Sequence, residues 1–157
     1  MVRKIVVSWK FLIVCLIIVY AVAFVGSLFT SNKVNSEWFN SIKPSITPPN
    51  YIFPIVWNIL YFLIALSLYF SFMNGNKKER VKVSWVFGVN LVLNLLWSLF
   101  YFGIQNVFLA FVDIILIWLT IIWMMFVTWR IDKKASYLLI PYFIWVSFAS
   151  VLNWLSL

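Results

Sequence analysis

Histidine is absent from this 157-residue chain, cysteine occurs once and acidic residues number four. With no histidine, no G-x-S-x-G motif and no cluster of metal-ligating residues, no hydrolytic or metal-dependent catalytic constellation is recognisable. The single Cys15 lies in an apolar run, forms no intrachain disulfide and carries no information on redox compartment. No fixed-period repeat, low-complexity tract or soluble domain is visible. The apolar runs also lack the alternation that roughly ten-residue barrel strands require.

What is present is grease. Hydrophobic residues make up 65%, charged residues 10%, and the mean hydropathy is +1.02, far outside the range of soluble domains. Charge-poor stretches fall at about residues 5–29 (uncharged from Phe11 to Phe29), 51–73, 83–104, 107–129 and 135–157. Runs of about 19 to 23 residues rise roughly 28 to 35 Å, enough to cross a hydrocarbon core. The expectation is an all-α protein: one domain over 1–157, an integral membrane bundle of five transmembrane helices, with a long connector at 30–50.

Charge placement orients this bundle. Arg3, Lys4, Lys10, Lys77, Lys78, Arg80, Lys82, Arg130, Lys133 and Lys134 share one side, against Lys33 and Lys43 on the other. The positive-inside rule then predicts a cytoplasmic N-terminus, with the 30–50 loop and the C-terminus outside. The same placement argues against nucleic acid, because lysines scattered over short turns make no groove-sized basic surface. Arg3 and Lys4 followed by Phe11–Tyr20 and Ala21-Val22-Ala23 also fit a signal peptide, but the apolar run continues through Val25, Leu28 and Phe29. Ala23 and Ser27, four apart, instead suit close approach of a neighbouring helix. The lack of a transit-peptide pattern favours a prokaryotic cytoplasmic membrane.

The Asn74–Lys82 and Gln105-Asn106 connectors are short, so sequential spans are expected to be antiparallel neighbours, with Asn74–Lys82 read as a turn followed by solvated charge. The 30–50 loop differs. Lys43-Pro44 and Thr47-Pro48-Pro49 disfavour helix and stiffen the chain, while Pro49 suits an early position of the second membrane helix. Such a loop can pack as a lid, or serve as a linker with Trp38 and Tyr51 at the interface.

Polar residues within the spans are few and patterned. Asp113 is the only acidic one, and a carboxylate in hydrocarbon costs about 2.5 to 3.5 kcal/mol even on mild scales, so it should face the bundle interior. Asn90, Asn94, Trp97 and Ser98 lie on one helical face; so do Trp145, Ala149 and Asn153, and likewise Trp57 and Tyr61. Trp57, Asp113 and Trp97 share a level roughly 9 to 11 Å below the outer boundary, with Asn94 and Trp145 a turn or so deeper. These residues describe a cavity in the outer half, with the loop as its cover. Asparagines also bond across helices as glue and tryptophans also fill volume, so both roles stay open.

Five segments together carry a resemblance: Trp38-Phe39-Asn40-Ser41-Ile42-Lys43-Pro44-Ser45-Ile46-Thr47-Pro48-Pro49; Val56-Trp57-Asn58-Ile59-Leu60-Tyr61; Asn90-x-x-x-Asn94-x-x-Trp97-Ser98; Ala110-x-x-Asp113; and Pro141-Tyr142-x-x-Trp145-x-x-x-Ala149-x-x-x-Asn153. In that order and spacing they resemble the translocator protein family, also called tryptophan-rich sensory proteins or peripheral-type benzodiazepine receptors. The resemblance implies a five-helix bundle, often a homodimer, whose pocket near the membrane surface is closed by the loop after helix one. It implies flat apolar ligands: porphyrins or haem, sterols in eukaryotic members, and synthetic isoquinoline or benzodiazepine-like drugs.

Trp57, Asn94, Trp145 and Ala149 match family pocket residues, and Asp113 matches the helix-four carboxylate. Trp57 and Trp145 also match tryptophans tied in bacterial relatives to light-dependent porphyrin breakdown, which makes them the candidate catalytic pair. The full candidate ligand-binding set is Phe39, Pro48, Pro49, Trp57, Tyr61, Asn90, Asn94, Trp97, Ser98, Asp113, Trp145 and Ala149. Phe39 stands where tyrosine is frequent, Ile46 where tryptophan is. No basic residue follows Lys134, so the sterol-recognition pattern is missing from the last helix.

No cofactor is required on this reading, no metal site is expected, and the partners are the bilayer and a porphyrin or other flat apolar molecule. Tryptophan faces can stack on a tetrapyrrole, Ala149 leaves room, and Lys43 or Lys33 can meet propionates. Lack of histidine excludes imidazole ligation of haem, so binding should be indifferent to the central metal. Binding or sensing leads; a photo-oxidase using Trp57 or Trp145 and a carrier using Asp113 are the alternatives.

Overall fold

The computed structural model describes residues 8–157; Arg3, Lys4 and the first residues of the expected 5–29 span lie outside them. Seven α-helices follow in order: α1 (Trp9–Thr30), α2 (Glu37–Ile42), α3 (Ile52–Asn74), α4 (Lys77–Ser98), α5 (Val107–Trp129), α6 (Lys133–Tyr137) and α7 (Ile140–Leu155). A π-helical turn, Leu99–Gly103, extends α4. Five segments are long and apolar enough to cross a membrane: Trp9–Thr30, Ile52–Asn74, Lys77–Gly103, Val107–Trp129 and Lys133–Leu155.

Packing arranges the five as a ring in which α1 lies against α3 and α4, α4 against α5, α5 against α7, and α6 with α7 against α3. The antiparallel α4–α5 hairpin is the most extensive contact, as the Gln105-Asn106 turn demands. Gln105 takes a left-handed backbone, φ 56°, to make that turn, and the Asn106 side chain accepts from the Leu109 amide to cap α5. The expected adjacency of α3 and α4 is only partial, because α1 packs along both. Lys10, the Lys77–Lys82 cluster and Arg130–Lys134 all lie at the same end of the ring, hereafter the basic end; the 30–50 segment caps the opposite, loop end. At the basic end the Ser8 amide donates to the Tyr69 hydroxyl (3.1 Å), tying the start of α1 to α3.

Three boundaries differ from the sequence expectation. Helix α4 starts at Lys77 rather than Val83: the Asn76 side chain accepts from the Lys78 and Glu79 amides and the Glu79 carboxylate accepts from the Asn76 amide, a capping box that carries helix into the charged connector. The last span is broken between α6 and α7, because Pro141 has no N–H to offer the Tyr137 carbonyl and its ring clashes there. Pro49 precedes α3 rather than entering it, and its carbonyl accepts from the Ile52 amide in a turn (2.9 Å). Within the loop, Ser36 caps the short α2 by accepting from the Phe39 amide (3.2 Å).

Candidate ligand-binding site

A cavity of about 900 Å³ fills the loop-end half of the ring, at the upper end of the volumes usual for small-molecule sites. All five membrane segments and the loop contribute to its wall.

Loop residues Phe39, Lys43, Pro44, Thr47 and Asn50 form the cover. Phe39 is buried, 5.6 Å from the Phe102 ring and 6.4 Å from Tyr101, and Trp38 meets Tyr101 edge-on at 5.8 Å. The π turn is what presents Tyr101 and Phe102 to α2, since its wider turn re-aims both rings. Asn50 donates to the Val34 carbonyl (3.1 Å) and the Asn35 side chain (2.9 Å), closing one side of the loop on itself. The segment is therefore a packed cover rather than a free linker.

The walls are aromatic. Trp57 of α3 lies 5.4 Å from Tyr61 and edge-on to Tyr142 at 6.3 Å; Trp145 of α7 meets Phe53 edge-on at 5.8 Å. The Trp145 indole N–H is enclosed and without a hydrogen-bond partner among the described residues, so the ring carbons form its share of the wall. Trp97 is fixed differently: its ring stacks on Tyr101 at 5.1 Å and its indole N–H donates to Asn153 Oδ1 (3.0 Å), while Asn153 donates on to the Val107 carbonyl. Ala149 leaves the α7 wall recessed.

A polar network spans the middle of the bundle. The Asn94 amide donates to the Tyr142 hydroxyl (2.6 Å), that hydroxyl donates to Asn90 Oδ1 (3.0 Å), and Asn90 Nδ2 donates to Thr120 Oγ1 (2.9 Å). Asn90 and Tyr142 are fully buried, and the network links α4, α5 and α7 in the way polar groups join helices in a bilayer. Asn94 belongs to it and also lines the cavity.

Of the twelve residues expected to meet a ligand, Phe39, Trp57, Tyr61, Asn94, Trp97, Ser98, Trp145 and Ala149 line the cavity, whereas Pro48, Pro49, Asn90 and Asp113 do not. Thr47 and Asn50 turn inward and the prolines between them stay outside the wall. Asn90 is engaged by Thr120 and Tyr142 instead. Asp113 is interior, 3% exposed, but the α5 wall is made by Ile114 and Ile117; one residue along a helix is about 100° of rotation. Its Oδ2 is enclosed without a hydrogen-bond partner among the described residues. Lys43 lines the cavity and Lys33 does not, and Cys15 is buried away from it. Among the described residues no group of three or more potential metal ligands occurs.

The α1 wall, with Tyr20, Ala23, Gly26 and Ser27, was missing from the sequence expectation. Here α1 approaches α4 so closely that a Cβ on Gly26 would sit 3.3 Å from Ser98 Oγ. Tyr20 donates to the Asn58 carbonyl (2.9 Å), joining α1 to α3 beside the cavity. The small and hydroxylated residues Ala23, Gly26, Ser27, Thr30 and Ser31, at helical spacing, were the available signal.

Fold and site together define an integral membrane protein whose five helices enclose a covered, aromatic-walled cavity. Residues 14–156 match the sequence model of the TspO/MBR family. The chain is 42% identical over 143 residues to the tryptophan-rich protein TspO of Chlorobaculum tepidum, covering 90% of each. It is 41% identical to the TspO of Archaeoglobus fulgidus over 90% of this chain and 92% of the relative, and 31% identical to the translocator protein of Ovis aries over 75% and 72%. The chain belongs to the TspO/MBR family.

Proposed function

We propose that this protein binds a flat, apolar ligand of the tetrapyrrole class, a porphyrin or haem, in the loop-end cavity, with residues 30–50 as the lid. The observation that carries the reading is the pairing of Trp57 and Trp145 in the wall of one space of about 900 Å³, with the recess at Ala149 one helical turn from Trp145. Aromatic faces and edges suit a planar conjugated ring, and the Lys43 ammonium, 6.0 Å from the Phe39 ring at the cover, suits a propionate. No histidine, cysteine or methionine lines the space, so imidazole, thiolate and thioether ligation of a haem iron are absent from its wall and the aromatic surface carries the recognition. Relatives bear the names tryptophan-rich sensory protein, in Cereibacter sphaeroides, and translocator protein, in Ovis aries; both accord with a protein whose first act is to bind a small molecule. The orientation that goes with this reading puts the basic end in the cytoplasm and the lid outside.

Tryptophan-fluorescence titration of the purified protein with protoporphyrin and with its iron complex tests the proposal. Saturable quenching at similar concentrations for both is expected, weakened by Trp57→Ala and by Trp145→Ala. Absence of saturable quenching, or unchanged titrations in both variants, overturns it. A second reading has the same two indoles consuming the porphyrin in light. Loss of the porphyrin absorption band on illumination, abolished in Trp57→Phe or Trp145→Phe, would establish that activity.

A further inference from the structure

A second, shallower concavity of about 390 Å³ opens on the outer face of the bundle at the basic end, between α5 and the α6–α7 segment. It is lined by Ile122, Met125, Phe126, Trp129, Ser136 and Phe143. Its walls face hydrocarbon: Ile122, Phe126 and Trp129 are all exposed. Its floor is closed where Ser136 donates to the Met125 carbonyl (3.0 Å), and its deep end where Trp118 packs on Phe143 at 5.3 Å and donates to Ser147. From Ile122 to Trp129 the groove runs about 10 Å along α5, parallel to a lipid chain.

Two cations mark its mouth. The Arg130 guanidinium lies 4.6 Å from the centre of the Phe126 ring, and the Lys133 ammonium 5.2 Å from that of Trp129, both rings of the groove wall. Cation–π contact holds each charge at the end of the groove. Asp132, the carboxylate between them in sequence, is already engaged: it accepts from the Asn74 side chain (2.6 Å) and from the Lys134 amide (2.9 Å). An apolar slot that takes the upper part of an acyl chain and ends in two positive charges is complementary to a molecule with an acyl tail and an anionic head.

We propose that this groove is a binding site for an anionic phospholipid, one acyl chain lying along Ile122, Phe126 and Phe143 and the phosphate held by Arg130 and Lys133. The site is separate from the porphyrin cavity and does not depend on that reading.

Native mass spectrometry of the full-length detergent-solubilised protein, titrated with phosphatidylglycerol or with phosphatidylcholine of the same chains, tests this. At least fivefold higher retention of phosphatidylglycerol is expected. Arg130→Gln and Lys133→Gln should each lower it, and the double variant should bring it to the phosphatidylcholine level. Ile122→Trp, which fills the groove and leaves both charges, should reduce retention of both lipids; an unchanged helical circular-dichroism spectrum and thermal midpoint of each variant verify the fold. Equal retention of the two lipids by the wild type overturns the proposal. So does a double variant that keeps its preference, which would move the phosphate to the Lys77–Lys82 cluster, and so does an Ile122→Trp variant that retains lipid in full.

Discussion

The two halves of the bundle use the same five membrane segments to opposite ends. Toward the basic end, Ile64, Val83, Val86, Ile121, Met124 and Leu139 are completely buried and the hydroxyls turn back onto helix carbonyls, as Ser67 does to Ala135 and Thr128 to Met124. Toward the loop end the helices carry Gly26, Ser27, Ser98 and Ala149 where bulk would otherwise fill the centre, and the large side chains are aromatics set around a space. The Asn90–Tyr142–Asn94 network separates the solid half from the hollow one. Close packing and open space are thereby assigned to different ends of one ring.

Breaking that division should have its largest effect in the solid half. Phe87→Ala removes a fully buried ring and is expected to cost about 3 to 5 kcal/mol, read as a collapse of the thermal midpoint in detergent. Trp57→Ala or Trp145→Ala, in the hollow half, should instead weaken porphyrin affinity about tenfold, close to 1.4 kcal/mol, with a smaller loss of thermal stability. If Trp57→Ala unfolds the protein as readily as Phe87→Ala, the two halves are not divided in this way. Tyr142→Phe, at the boundary, removes the hydroxyl that joins Asn94 to Asn90 and should cost about 0.6 kcal/mol, the average for hydrogen bonds between membrane helices. Asp113→Asn should leave porphyrin affinity within twofold and raise the thermal midpoint, since it replaces a buried acidic group by one that cannot ionise. A larger change in affinity would put the carboxylate back at the site. Smallest of all, Gln105→Gly should relieve a left-handed backbone at the α4–α5 turn and, after the extra entropy glycine loses on folding, gain about 0.5 kcal/mol, measured by the same melts.

The spans were legible because run length and charge are one-dimensional signals: Val107–Trp129 is visible as an apolar stretch with a single charged residue, Asp113, and as a helix of the same bounds. The segments at Trp57, Asn94 and Trp145 were legible because each contains a polar or indole residue at helical spacing. Asp113 was misplaced by a rotation of about one residue, which no periodicity resolves when the neighbouring positions are all isoleucine, valine and leucine. The part played by α1 was hidden because its cavity face is marked mainly by small residues, and a glycine signals close approach without saying to what. The early start of α4 and the break before α7 were written in the chain, as Asn76 with Glu79 and as Pro141, but lay beneath the stronger hydropathy pattern.

The π turn at Leu99–Gly103 has a consequence for how such a cover can be altered. Its extra residue sets the bearing of Tyr101 and Phe102, the rings that hold Phe39, through the five-residue bond from the Ile104 amide to the Leu99 carbonyl (2.8 Å). Deleting a single residue there would restore α-helical winding and swing the anchor rings by about 100° while leaving Trp57 and Trp145 untouched. The grip on the cover is thus adjustable by a one-residue change in chain length, independently of the indoles in the cavity wall.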